Sequence, residues 1–282
     1  MSLWESILLG MLQGLTEFLP ISSTAHLLVA RQFLGHARPE DAFTTVIQLG
    51  TLVAVFAYFR ADGMALIRGL FCDVLHLKFG STSDSIMAWR ILLGTFPAGL
   101  TGLLLKDWLK QTFFHATAIA WVAIVFALLM AVAEWWSRHR VRQGQRPRNE
   151  TELTTIDALW VGLWQALALM PGGSRSGTTI TAGLLAGLER ATAARFSFLL
   201  SMPIILAAGL KEFWDERGIF LRSQGDLVIL LAGLVSSAIV GYLAIAWLLH
   251  FLKRHSTTAF IVYRLILGVS ILVMVSLGWL GN

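Results

Sequence analysis

The sequence predicts an all-α integral membrane protein, with six transmembrane helices plus two re-entrant helical hairpins in an inverted repeat. Three observations carry this. Of 282 residues, 56% are hydrophobic and only 14% charged, which is too apolar for a soluble domain. The apolar runs are long and lack the alternation of barrel strands. Two of them are interrupted by proline and a cluster of polar residues, and irregular backbone at membrane depth is tolerated only when buried in protein or lining a wet cavity. The single cysteine, Cys72, excludes a disulfide framework and a cysteine-based metal site. The net charge of +5 fits Lys and Arg in cytoplasmic loops better than nucleic-acid binding. Glu5 is the first charge and no basic stretch precedes the apolar run, so a cleaved signal is not expected.

Residues 6–34 form the first broken segment, interrupted by Glu17, Pro20, Ser22, Ser23, Thr24 and His26. Its apolar arms suit a hairpin better than a crossing of roughly 20 residues. Full spans are expected near 42–59, 89–107 and 116–136. The segment 158–188 is the second broken one, interrupted by Pro171 and the polar run after it, and spans follow near 194–212, 227–249 and 257–280. Two charge-free runs, 91–105 and 196–210, are short, so Arg90, Lys106, Arg195 and Lys211 are expected to snorkel outward. Trp108, Trp135, Trp136, Trp214 and Trp279 fall at expected span ends and read as interfacial anchors.

The halves look like repeats within one polytopic domain. Gln13 to Pro20 recurs as Gln165 to Pro171, and both breaks read Pro-x-x-Ser. A hairpin adds no net crossing and three spans add an odd number, so the second half inserts upside down. The repeats cover about 1–137 and 156–282, joined by a basic linker at about 138–155 that includes Pro147. Thirteen Lys and Arg fall on the side opposite the termini and 7, Arg38 among them, on the termini side. The linker is then cytoplasmic and both termini face outward.

The richest chemistry lies in Ser174-Arg175-Ser176-Gly177-Thr178-Thr179, which follows Pro171-Gly172-Gly173. An intramembrane arginine usually faces a cavity or a partner. Guanidinium, hydroxyls and free N–H groups at a helix start all bind phosphate, so the stretch reads as an oxyanion cradle. The same hydroxyls would serve equally as helix caps. Gln13 and Glu17 share a helix face, and Glu17 reads as a base, a metal ligand or the partner of Arg175. Ser22 and Thr24 suit capping as well as direct contact. Ser23 lies within reach of His26, which would activate it as a nucleophile, activate water or protonate a leaving oxygen. Arg264, inside the last span, reads either as a second phosphate contact or as a snorkelling residue, and Gln48 as a weaker candidate of the same kind. A divalent cation, Mg2+ or Ca2+, would find one carboxylate, Glu17, and would need the substrate to complete its shell.

The stretch Gln13-Gly14-Leu15-Thr16-Glu17-Phe18-Leu19-Pro20-Ile21-Ser22-Ser23-Thr24-Ala25-His26 resembles the first motif of bacterial undecaprenyl-diphosphate phosphatases, membrane enzymes linked to bacitracin resistance. Pro171-Gly172-Gly173-Ser174-Arg175-Ser176-Gly177 resembles their second. The resemblance extends over essentially the whole chain, including Val46 to Gly50 and Tyr263-Arg264. It implies six spans and two hairpins, often dimeric, in the bacterial inner membrane. It also implies removal of the terminal phosphate of undecaprenyl diphosphate, with a divalent cation, to regenerate the lipid carrier of peptidoglycan synthesis. Family roles would fall on Glu17, Ser23, His26 and Arg175, with Gln13 at a position that is Glu or Gln. Gln13 cannot ligate metal as a carboxylate would, which counts against a two-carboxylate metal site. Gln13, Thr24, Ser174, Ser176, Gly177, Thr178, Thr179 and Arg264 are the expected substrate contacts.

The rival reading is a polyprenyl-phosphate or anion carrier that does not hydrolyse, since broken helices in inverted repeats are typical of transporters. A type-2 phosphatidic acid phosphatase is set aside, because no His and Asp follow Ser174-Arg175 at the spacing that class needs.

Overall fold

A computed structural model describes residues 1–36, 42–220 and 222–281. Arg38, counted above for orientation, and the side chain of Lys106, expected to snorkel, lie outside the described set. The first half contains α1 (Leu3–Phe18), α2 (Ser23–Phe33), α3 (Ala42–Val46), α4 (Gln48–Tyr58), α5 (Arg60–Leu75), α6 (Ser83–Phe113) and α7 (Ala116–Arg142). The second contains α8 (Thr155–Leu167), α9 (Arg175–Ala186), α10 (Arg190–Phe220), α11 (Gln224–Leu252) and α12 (Thr258–Ser276). No strand forms among the described residues, so the protein is all-helical.

Among the described residues five helices are long and apolar enough to cross a membrane: α6, α7, α10, α11 and α12. A sixth span exists only if a bent pair counts as one. The expected span at 42–59 is divided into α3 and α4, and the chain turns by 86° just beyond it, between Phe43–Tyr58 and Arg60–Leu75. α4 alone has 11 residues, about 16 Å of helix against a core of about 30 Å. Residues 60–75, expected in a loop, are helical because α5 packs along α6. The buried Asp73 near the end of α5 accepts from the Gly80 N–H (2.6 Å) and from Trp89 Nε1 (3.1 Å), which fixes the turn into α6.

The two short charge-free runs belong to long helices. α6 and α10 have 31 residues each, with Pro97 and Pro203 inside them, and so are about 46 Å long. Arg195, expected to snorkel, is held by partners. Its guanidinium forks between Asp62 (2.6 Å) and Glu150 (2.8 Å) and lies over the Phe59 ring. The linker is therefore pinned to α5 and α10. Arg148 adds a second pin, with a bidentate pair to Asp157 (2.7 and 2.8 Å) and backbone bonds to Gly187 and Glu189. Beside it, hydrogen bonds from Arg146 and then from the Asn149 N–H hold the Glu152 carboxyl down at about 2.

Each broken segment folds back on itself, α1 against α2 and α8 against α9, yet its longest contacts are with the other half. α1 lies along α11, α8 along α6, and α7 along α12. Glycines bring the first two crossings close. A Cβ on Gly162 would stand 2.2 Å from the Gly94 carbonyl oxygen, and one on Gly10 would stand 2.3 Å from that of Gly233. Close backbone approach through small residues is how membrane helices gain van der Waals contact. Gly162→Ala should therefore lower stability in detergent by about 1–3 kcal/mol, the usual range for overpacking. An unchanged thermal midpoint would show that the α6–α8 crossing yields at no cost.

Candidate active site

The two breaks meet in the interior, and both restart their helices in the same way. Ser22 caps α2 with φ 74° and ψ 97°, and Ser174 caps α9 with φ 62° and ψ 105°. These are two of only three non-glycine residues with positive φ among the described residues. Such conformations cost of the order of 1–3 kcal/mol and persist where the surroundings over-determine them. Each serine Oγ accepts from the backbone N–H three residues on, Ala25 at 3.4 Å and Gly177 at 3.2 Å. Ser22 and Ser174 are 152 residues apart, as are Gln13 and Gln165, whereas Pro20 and Pro171 are 151 apart. The Pro-x-x-Ser register, which equates Ser23 with Ser174, is thus displaced by one residue. The structural equivalent of Ser23 is Arg175.

Those two equivalent residues converge on one carboxylate. Glu17 Oε1 accepts from Arg175 Nη2 at 2.7 Å. Glu17 Oε2 accepts from Ser23 Oγ at 3.1 Å and from Gln13 Nε2 at 2.9 Å. Glu17 is 8% exposed and Arg175 15%. Around them lies a cavity of about 230 Å³, walled among others by Glu17, Ser22, Ser23, Thr24, Gln48, Gln165, Leu169, Ser174, Arg175 and by Ile204, Ile205 and Ala208 of α10. Phe114, in the α6–α7 connection, also lines it. Arg175 Nη1 is buried without a hydrogen-bond partner among the described residues. The first N–H groups of α9 add positive potential at the same wall.

Several expected substrate contacts hold the backbone instead of lining the cavity. Ser176 Oγ donates to the Leu19 carbonyl at 3.0 Å, tying the second break to the first. Thr178 Oγ1 donates to the Gly173 carbonyl at 3.0 Å. Thr179 Oγ1 donates to the Arg175 carbonyl at 2.7 Å and lies 2.5 Å from Ser197 Oγ. Arg264 neither faces the cavity nor snorkels. It is wholly buried, and its Nη2 donates to the carbonyls of Gly172 (3.1 Å) and Gly173 (3.0 Å). With the Gly173 carbonyl drawn toward α12, the trans peptide points the Ser174 N–H the other way. Gly177 makes room for this, since a Cβ there would stand 2.5 Å from Arg264 Nη1.

His26 is also outside the cavity wall. Its Nδ1 lies 2.7 Å from the Ser22 carbonyl and its Nε2 lies 2.6 Å from the Tyr263 hydroxyl, with the rings stacked. A carbonyl only accepts, so Nδ1 carries the proton and Nε2 accepts from tyrosine. No hydrogen bond joins His26 to Ser23 among the described residues. Gln13 is buried and acts through Glu17. Sequence reasoning passed over Tyr263 as the partner of His26, and Gln165 as a cavity residue. The recurrence of Gln13 as Gln165 was the available signal for the second.

Among the described residues no three His, Cys, Asp or Glu side chains gather as a metal cage. The oxygens at the wall, from Glu17, Ser22, Ser23, Thr24 and Gln48, are hard donors of the kind Mg2+ and Ca2+ take. With one carboxylate, they fit such an ion only if a bound anion supplies most of its shell.

Residues 6–270 match the family described as Bacitracin resistance protein BacA. An undecaprenyl-diphosphatase of Chlorobium phaeovibrioides is 44% identical over 280 residues, covering 99% of both chains. One of Synechococcus elongatus is 49% identical over 288 residues, covering 100% of this chain and 96% of the relative. With a match of that extent and both motifs lining or bracing one buried cavity, this chain belongs to the BacA family of membrane proteins.

Proposed function

We propose that the protein is a membrane phosphatase that hydrolyses undecaprenyl diphosphate to undecaprenyl phosphate and inorganic phosphate, recycling the carrier lipid of peptidoglycan synthesis and so conferring bacitracin resistance. The observation that carries this is a buried carboxylate–guanidinium pair at the junction of two helix starts, in residues that line the cavity, with one guanidinium nitrogen unpaired among the described residues. Arg175, Ser174 and the first N–H groups of α9 hold the diphosphate. They stabilise charge on the phosphoryl group as it passes from the lipid monophosphate to the oxygen of water, the main source of rate in phosphoryl transfer. Ser23 presents its hydroxyl at the wall, and the base within its reach is Glu17. His26, with Tyr263, holds the Ser22 carbonyl and so the start of α2.

A divalent cation belongs to the same reading. Glu17 would hold it from the protein side, and when bound with the diphosphate it would neutralise phosphate charge. The halves are read as inverted repeats whose broken segments are re-entrant hairpins. The exchanged packing of α1 and α8, the matching serine caps and the 152-residue spacing support this. The reading takes the membrane to be the bacterial inner membrane, and the Lys and Arg bias supports termini on the outer side. Phe114, a cavity residue in the α6–α7 connection on the termini side, supports access from that side, with the polyprenyl tail in lipid.

Phosphate release from undecaprenyl diphosphate in detergent, with Mg2+, Ca2+ or chelator, tests the assignment. Arg175→Gln should lose about 10²-fold or more, as expected for an oxyanion donor. Glu17→Gln should lose cation-dependent turnover. Each single change leaves a buried charge unpaired and should destabilise, while the double change should regain thermal stability without activity. Near-normal turnover by folded Arg175→Gln would sink the site. Absence of release from folded wild type that still binds the lipid would favour the non-hydrolysing carrier.

Ser176→Ala separates holding from touching. It removes one of two donors to the Leu19 carbonyl, the Ile21 N–H keeping its bond, and should cost about 0.5–1.5 kcal/mol of stability, with KM unchanged. A raised KM at unchanged stability would make Ser176 a substrate contact.

A further inference from the structure

We infer that Gln165 is a phosphate-binding residue of this site. The inference rests on the proposed phosphatase reading and extends it to a residue outside both signature stretches. Gln165 is 1% exposed and lines the cavity. Neither its Nε2 nor its Oε1 has a hydrogen-bond partner among the described residues. A buried amide left unpaired disfavours folding, and such groups in native proteins usually await a ligand or water.

The repeat explains why it is unpaired. Gln13, its equivalent, donates to Glu17 four residues on. Four residues after Gln165 stands Leu169, which accepts nothing and also faces the cavity. The first half thus turns its buried amide onto a carboxylate, while the second half leaves the same amide unpaired among the described residues, on a residue that lines the cavity. The other buried unpaired donor at this wall is Arg175 Nη1. An amide N–H2 and a guanidinium N–H on one wall suit the oxygens of a phosphoryl group. Gln165 Nε2 donates to the terminal phosphate beside Arg175, and Oε1 is left to accept from a water, which hydrolysis consumes.

The test is steady-state phosphate release from undecaprenyl diphosphate, together with thermal unfolding with and without inorganic pyrophosphate. Wild type, Gln165→Met, Gln165→Glu and Arg175→Gln are compared. Methionine keeps the length and shape and removes an amide with no protein partner, so the thermal midpoint of Gln165→Met should stay level or rise. Its kcat/KM should fall on the order of 10- to 100-fold, as for one hydrogen bond to a charged group. Its stabilisation by pyrophosphate should shrink with it. Gln165→Glu, which sets a carboxylate against the phosphate, should lose more. Wild-type kcat/KM in Gln165→Met overturns the inference. So does a loss that tracks a lowered midpoint, since the amide would then be structural. If Arg175→Gln also keeps its activity, the failure lies in the site reading as a whole and not in Gln165 alone.

Discussion

Everything at the centre of this protein depends on one ion pair, Arg175 with Glu17. The two residues are 158 positions apart in sequence, and each sits at a helix break. Neither charge is tolerable alone at that depth, because desolvating a single ion costs several kcal/mol even after relaxation. Together they join the end of α1 to the start of α9. The pair is also incomplete in a useful way. Glu17 accepts from Arg175, Ser23 and Gln13, whereas Arg175 Nη1 has no hydrogen-bond partner among the described residues. An unpaired guanidinium nitrogen suits the oxygen of an anion.

A second layer keeps the junction in shape, and most of it acts on carbonyls. Adjacent residues of α12 reach both breaks. Tyr263 contacts His26, which holds the Ser22 carbonyl, and Arg264 holds those of Gly172 and Gly173. Thr178 and Ser176 do the same for Gly173 and Leu19. Broken backbone in a bilayer must have its polar groups met by protein. Meeting the carbonyls from behind leaves the N–H side of the second break for the cavity. The hydroxyl-rich second motif thus divides its work, with Ser174 at the wall and Ser176, Thr178 and Thr179 behind it.

Helical class and membrane character were legible because they follow from composition and run length, which need no knowledge of contacts. Glu17 and Arg175 were legible because an ionisable residue beside a proline or glycine break has few explanations. The bend after Tyr58 was not, since residues 60–75 carry charges that look like a loop until α6 is there to pack against. Nor was the division of labour among the hydroxyls. Capping, carbonyl holding and phosphate binding draw on the same residue types, and only the direction of each side chain separates them. Arg195 shows the same limit: the short charge-free run beside it suggested snorkelling, but the sequence does not show that two carboxylates from distant segments pair with it.

The register of the repeat has a further consequence. Matching prolines pairs Ser23 with Ser174, two like residues in like places, which would describe a symmetric binding pore. Matching the caps pairs Ser23 with Arg175 and Glu17 with Leu169. The backbone at the two helix starts then shares one geometry, while the side chains differ in charge. A symmetric pair of helix starts would present equal positive ends to a ligand and give it no direction. Here one start carries the carboxylate and hydroxyl, the other the guanidinium and the open amide of Gln165. A diphosphate entering between them meets an acceptor on one side and donors on the other. That polarity is what an asymmetric reaction at one phosphorus needs, and two like helix starts with unlike residues at like positions supply it.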